Sequence, residues 1–220
     1  EDKFGPIGYD FSNTLPGEEK RYISPDETFH YRIDFWNEPD AEVPTQTAII
    51  RDQLDSDLDW DTLNFTNFGF LDWNIDLPGG QTIDTRVDMR PLFDLAVDVD
   101  ATFNPDTGEI EWYFQAVDPI TGDLNDVDPF AGFLPPFNEE TEYELGWVEF
   151  TVEPKADLAT GTEVTNQAFV QFDLFNAFNP APKEGPWLNT IDADAPESAV
   201  EALPDTSTSE NFEVTWAGTD

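Results

Sequence analysis

The chain has 220 residues, with 48 acidic side chains against 9 basic ones, and its formal net charge is -39. Nucleic-acid affinity depends on Lys and Arg displacing counterions from phosphates, so this charge excludes DNA, RNA and anionic membranes as partners. With no Cys and one His, disulfides, thiolate chemistry and metal sites built from two imidazoles are also excluded.

The remaining composition predicts a folded protein. It contains 19 Phe and 7 Trp, which is ample apolar surface for a core despite a charge typical of disordered chains. The sequence has no run of 18 apolar residues, so it predicts no membrane-spanning helix. The only Met, Met89, is internal, as expected of a mature or excised piece. We expect an extracellular or cell-surface location.

In chain order, residues 1–25 are rich in Gly, Pro and charge and are interpreted as a linker or lead-in. Tyr31, Ile33 and Phe35 then alternate with polar neighbours, which predicts a strand with one buried face over residues 30–37. The same period of two recurs down the chain. It predicts further strands near residues 45–52, 63–70, 81–89, 93–103, 110–116, 146–153 and 163–175.

The turn at residues 104–108 joins two of these runs and predicts an antiparallel hairpin. No window has a sustained helical repeat, so we expect helix only as a turn or two around residues 53–61. Several short strands separated by Pro and Gly favour an all-β fold, an antiparallel β-sandwich over residues 26–194, with a closed barrel as the weaker alternative. Residues 195–220 predict two extra C-terminal strands.

Several stretches together resemble the tandem repeat domains of large bacterial and archaeal surface proteins. They are the lead-in Asp2-Lys3-Phe4-Gly5-Pro6-Ile7-Gly8, the run Tyr31–Asn37, the run Ala48–Asp55 with Leu58–Trp60, the stretches Asp118–Gly122 and Gly132–Pro136, and the stretch Val152–Ala168. The resemblance covers roughly residues 2–194. Residues 195–220 resemble the first two strands of a following immunoglobulin-like or fibronectin-like module.

This resemblance implies an Ig-like sandwich with long Asp/Pro/Gly-rich loops, in a modular extracellular protein that is often calcium-loaded and lacks catalytic activity of its own. It supplies no ligand set. The two terminal strands are expected to dock on the main domain, to be cut short, or to be donated to a neighbouring copy by strand addition.

Two Asp-rich segments are candidate calcium sites, because Ca²⁺ takes six to eight oxygen ligands. The first set consists of Asp118, Asp123, Asn125, Asp126 and Asp128. The second set consists of Asp52, Asp55, Asp57 and Asp59, with Asp61 following. Neither has the EF-hand pattern. The alternative is that both are solvated surface loops, and salt adaptation of the whole surface would also leave them without metal.

Catalysis finds little support in the sequence, because no nucleophile elbow or phosphate loop occurs and no pair among 48 carboxylates stands out. The Trp residues are interpreted as core packing, with a sugar-stacking platform as the alternative. The leading hypothesis is therefore a non-catalytic, calcium-stabilised structural module that contacts adjacent modules or neighbouring copies, and that assembles into filaments if its terminal strands are donated. The alternative is a module of a secreted enzyme or adhesin that binds carbohydrate or another surface partner.

Overall fold

The computed structural model describes residues 2–10, 14–15, 17–124, 128, 130–141, 143–173, 179–181, 185–201 and 214–219. Within these residues the chain forms two packed β-sheets and a separate pair of strands, with no α-helix. This confirms the all-β sandwich expected from the period-two pattern.

The first sheet has five strands in the order β1-β3-β10-β5-β6, all antiparallel. Their bounds are β1 Asp2–Phe4, β3 Phe29–Phe35, β5 Leu58–Phe70, β6 Trp73–Asp76 and β10 Gly146–Pro154. The lead-in thus provides an edge strand, β1, which pairs with β3 through three residues, Lys3 lying opposite Ile33.

The second sheet has the order β2-β13-β11-β4-β9-β8-β7, with β12 pairing β11 to one side. The bounds of its strands are β2 Tyr22–Ile23, β4 Thr47–Gln53, β7 Thr82–Asp88, β8 Ala96–Asn104, β9 Glu109–Val117, β11 Glu163–Phe172, β12 Asn179–Ala181 and β13 Trp187–Ile191. Only the pairing of β2 with β13 is parallel among the pairings of named strands.

Aromatic side chains from the two inner faces fill the space between the sheets. The rings of Phe65 and Trp112 are 4.9 Å apart between centroids, and those of Phe35 and Phe114 are 5.4 Å apart. All four side chains are fully buried. Each contributes on the order of 1.5–3 kcal/mol by leaving water, so this layer is the main source of stability.

The strands predicted near residues 30–37, 45–52, 63–70, 81–89, 93–103, 110–116 and 146–153 are confirmed, as is the hairpin with its turn at Gly108. The strand predicted over 163–175 is confirmed as far as Phe172, and its last two residues lie outside the described residues. The helical turn expected over residues 53–61 is wrong. A tight turn follows β4 there, and β5 already begins at Leu58. Asp favours such turns because its side chain bonds nearby backbone N–H groups, as Asp55 does with the N–H of Asp57.

The two predicted C-terminal strands are present as β14 (Glu197–Val200) and β15 (Trp216–Thr219). They are antiparallel, and within the described part of the chain each pairs only with the other. Val200 and Trp216 are exposed, the latter by 71%. No helix among the described residues is long and apolar enough to cross a membrane.

Candidate functional site

Lys3 is buried inside the sandwich. It is the middle residue of β1, whose neighbours Asp2 and Phe4 lie on the outer side of the strand, so the alternation of the strand directs Lys3 inward. Its relative exposure is 1%. A Lys this deeply buried is rare, because an ammonium loses its hydration, and it calls for a partner or a function.

Asp52 is the partner of Lys3. It lies on β4 in phase with Ala48 and Ile50, which face the core. Arg51, between Ile50 and Asp52, faces outward and pairs with Glu111. Asp52 is 1% exposed, and its Oδ2 accepts a hydrogen bond from Lys3 Nζ. Within the described residues its other oxygen, Oδ1, is buried without a hydrogen-bond partner.

Asn166 completes the cluster from β11. The residues of this strand that face the core are Val164, Asn166, Ala168, Val170 and Phe172, so Asn166 occupies a position suited to an apolar side chain. Ala168 lies opposite Asp52 in the β11–β4 ladder, and Asn166 is the next inward residue along β11. Both polar atoms of its side chain are buried with no hydrogen bond to any described residue.

Two aromatic rings enclose the Lys3 amine. Lys3 Nζ is 4.7 Å from the ring centroid of Tyr31 and 5.3 Å from that of Phe150. The two rings are themselves 5.3 Å apart. These contacts keep water away from the amine and fix its position between the sheets.

Burial dominates the electrostatics of the pair. It lowers the pKa of Lys3 to about 8, against the charge of Asp52, and raises the pKa of Asp52, against the charge of Lys3. Both shifts favour the uncharged forms, a free amine beside a carboxylic acid, because the water-poor interior penalises separated charges.

A clamp formed by Trp187 and Asn189 of β13 fixes the chain just beyond Lys3. The Trp187 indole N–H donates to the carbonyl of Pro6 at 3.2 Å, and the buried Asn189 amide donates to the same carbonyl at 2.9 Å. The indole packs so closely on Gly5 that a Cβ at this position would lie 2.6 Å from it. This contact requires Gly at residue 5, and it fixes where Lys3 enters the core.

The second predicted calcium set is not brought together. Asp52 is buried beside Lys3 and hydrogen-bonded to it, on the inward face of β4 and apart from the loop that follows. Asp55 accepts hydrogen bonds from the N–H groups of Asp57 and Thr165, and so anchors the residue before Asn166. Asp59 accepts from the N–H of Asp61.

The first predicted set forms a local turn as far as the structure describes it. Asp118 accepts hydrogen bonds from the N–H groups of Thr121 and Ile120, which lower its pKa. Asp123 follows in the same turn, and Asp128 accepts from the N–H of Phe130. Asn125 and Asp126 lie outside the described residues. Across the described ranges, no three His, Cys, Asp or Glu side chains are grouped to hold a metal ion.

The sequence contained a signal for the buried cluster that the predictions did not use. Lys3, Asp52 and Asn166 all lie in stretches that carried the family resemblance, and Asp52 and Asn166 each interrupt an alternating apolar face. A polar residue in phase with core residues is more informative than one in a loop, because its burial must be compensated.

The comparisons with known proteins are limited. No protein-family model and no curated protein matches the chain. A collagen-binding domain from a Staphylococcus aureus adhesin shares 11% identity, over 86% of this chain and 95% of that one, with a TM-score of 0.38. ACE19, the collagen-binding subdomain of the Enterococcus faecalis surface protein ACE, shares 9% identity over 80% and 90%, with a TM-score of 0.34. At TM-scores this low, neither likeness assigns a family or a ligand to this chain.

Proposed function

We propose that this chain is a structural module of an extracellular or cell-surface protein, and that its sandwich is closed by a covalent amide bond between the side chains of Lys3 and Asn166. The observation that carries the proposal is the buried group of an amine, a carboxyl group and a carboxamide, from β1, β4 and β11. The acidic, Cys-free composition fits a secreted module that needs a cross-link other than a disulfide.

The amine has the properties of a nucleophile. A Lys attacks a carbonyl carbon only when it is unprotonated, and burial has moved the pKa of Lys3 down to about 8. The Asn166 carboxamide, whose own polar atoms form no hydrogen bond with the described residues, is the electrophile that lies on the same inner face as Asp52.

The proposed reaction is balanced without a cofactor. Lys3 Nζ forms a bond to Cγ of Asn166, and the bond between Cγ and Nδ2 of Asn166 breaks. Asp52 starts as the carboxylic acid: it donates its proton to the leaving nitrogen, which departs as ammonia, and accepts one from the attacking nitrogen, so that Asp52 ends unchanged. The chain reacts once with itself, so the reaction involves no catalytic turnover of a substrate.

Water exclusion favours the product. The site is lined by Tyr31 and Phe150 and is closed at β1 by the Trp187 clamp. Water that would hydrolyse the new amide is kept out, while ammonia leaves and does not return at low concentration.

The bond would change how the module carries force. It joins β1 of one sheet to β11 of the other, so tension entering near residue 3 passes directly to residue 166. The strands between those two residues would then be shielded from stretching. This is the mechanical role that we assign to the module.

Intact-mass spectrometry tests the proposal. The purified folded chain should be lighter than its sequence mass by one ammonia, and proteolysis should yield one branched peptide that joins the segment around Lys3 to the segment around Asn166. A mass equal to that of the linear sequence, after prolonged incubation of the folded protein, would reject the proposal.

A further inference from the structure

Tyr31 holds an unusual position in the cluster. Its ring contacts the Lys3 amine, and its hydroxyl is buried with no hydrogen bond of normal geometry to a described residue. A buried phenol normally finds a partner, so this free donor needs an explanation.

The groups that act on the Tyr31 hydroxyl are Asp52 and Asn166 of the cluster and, more weakly, Asp55. Burial raises the pKa of Tyr31 most strongly, the charge of Asp52 raises it further, and the side chain of Asn166 lowers it as a neighbouring hydrogen-bonding group. The phenol therefore stays protonated across the working pH range and remains a donor beside the carboxamide.

The reaction proposed above creates a need for such a donor. When Lys3 Nζ adds to Cγ of Asn166, the carboxamide oxygen gains negative charge in an interior that water does not reach. Stabilisation of developing charge by a positioned donor is among the largest catalytic effects in acyl transfer. Asp52 is occupied by proton transfer between the two nitrogens and forms its hydrogen bond with Lys3.

We propose, resting on the proposed cross-link, that Tyr31 is a catalytic residue whose hydroxyl donates a hydrogen bond to the Asn166 carboxamide oxygen as the Lys3–Asn166 bond forms. The position of Tyr31 on β3 fits this role. β3 lies in the first sheet and β11 in the second. Tyr31 is buried between them, its ring borders the amine, and the Asn166 side chain is close enough to its hydroxyl to act on its pKa.

The test is a single-atom deletion, Tyr31→Phe. Chains are synthesised in vitro, kept in urea so that no site forms, and folded by dilution, and the loss of ammonia is followed by intact mass over time. We expect Tyr31→Phe to cross-link on the order of 10²–10³-fold more slowly than the natural sequence, the usual cost of losing one such donor. The control is Tyr113→Phe, which removes a phenol oxygen bonded to Gln115 away from the cluster and should leave the rate unchanged.

A second measurement separates chemistry from folding. In an Asn166→Ala background, where no cross-link can form, adding Tyr31→Phe should shift Tm by no more than about 2 °C, because the deleted oxygen has no partner to lose. Equal cross-linking rates for Tyr31→Phe and the natural sequence would overturn the role of Tyr31 but leave the cross-link standing. A natural sequence that never loses ammonia would overturn both.

Discussion

The replacement Asn166→Ala separates the covalent bond from the rest of the fold. It removes the electrophile but leaves Lys3 and Asp52 paired, and it deletes polar atoms that form no hydrogen bond with the described residues. The variant should therefore fold with an intact sandwich and keep the full mass of its linear sequence.

The expected loss of stability follows from the size of the loop that the bond closes. A link from residue 3 to residue 166 encloses about 160 residues, and the chain-entropy relation for cross-links gives about 5 kcal/mol for a loop of that length. In a domain of this size 1 kcal/mol corresponds to about 2–4 °C, so Tm should fall by about 10–20 °C.

Differential scanning calorimetry of Asn166→Ala, Lys3→Met and the double variant measures this effect. Both single changes abolish the same bond, so the double variant should melt close to the less stable single variant rather than at the sum of the two shifts. A drop below about 3 °C for Asn166→Ala, or shifts that add in the double variant, would refute the reasoning.

Four further predictions follow from the same structure. Asp52→Asn keeps the size of the side chain but cannot transfer protons, so intact mass should show cross-linking slowed about 10²–10⁴-fold; an unchanged rate would remove Asp52 from the reaction. Gly5→Val should displace β1, because its Cβ meets the Trp187 indole and the Tyr31 ring, and it should lower both Tm and the cross-linked fraction; a cross-linked fraction equal to that of the natural sequence would contradict the clamp. In the Asn166→Ala variant, the free energy of unfolding measured in urea should rise between pH 8 and pH 10, because the unfolded chain keeps the Lys3 proton that the folded chain has lost. Adding Lys3→Met should abolish this rise. Calcium at the two Asp-rich loops stays a prediction: millimolar calcium should raise Tm above its value in EDTA, and an equal gain from sodium chloride of matched ionic strength would reject it.

The strands were predictable wherever one face is buried over several residues. β3, β8, β9, β10 and β11 all show the alternation that the apolar pattern gave. The strands that were not predicted, β1, β2, β6, β12 and β13, have two to five residues, too few for a period of two to stand out. β1 and β2 also pair with strands that are distant in sequence, so tertiary context forms them.

The start of β5 was not predicted because its alternation is broken: Leu58 and Leu63 are both buried although five residues separate them, and the ladder with β10 shifts register between Asp59 and Asn64. The alternation breaks a second time further along the strand. Leu63 and Phe65 face the core in one phase, whereas Phe68 and Phe70 face it in the other. The ladder with β10 shifts register between these pairs, where Phe150 lies opposite Phe65 but Glu149 lies opposite Asn67. A β-bulge of this kind resets the side-chain phase, which a simple periodic pattern does not predict.

Finding the candidate site from the sequence depended on assigning one residue, Asp52, to the correct face of its strand. Asp52 stands near Asp55, Asp57 and Asp59, and was grouped with them as a loop ligand. It belongs instead with Ile50, two residues earlier, whose inward phase it shares. Because a shift of one residue exchanges the two faces of a strand, proximity in sequence gave the wrong neighbours and alternation gave the right ones.

The energetics of the unreacted cluster support a covalent outcome. Burying Lys3 and Asp52 removes two charges from water, and a buried pair of this kind is often no more stabilising than apolar side chains of the same size. β1 contributes only three paired residues to offset that cost. A short edge strand carrying a buried Lys would thus be a weak point of the sandwich if nothing further happened there. Formation of the Lys3–Asn166 bond converts the buried amine into a neutral amide that cannot ionise and fixes β1 permanently, so the same three residues would become a covalent connection between the sheets.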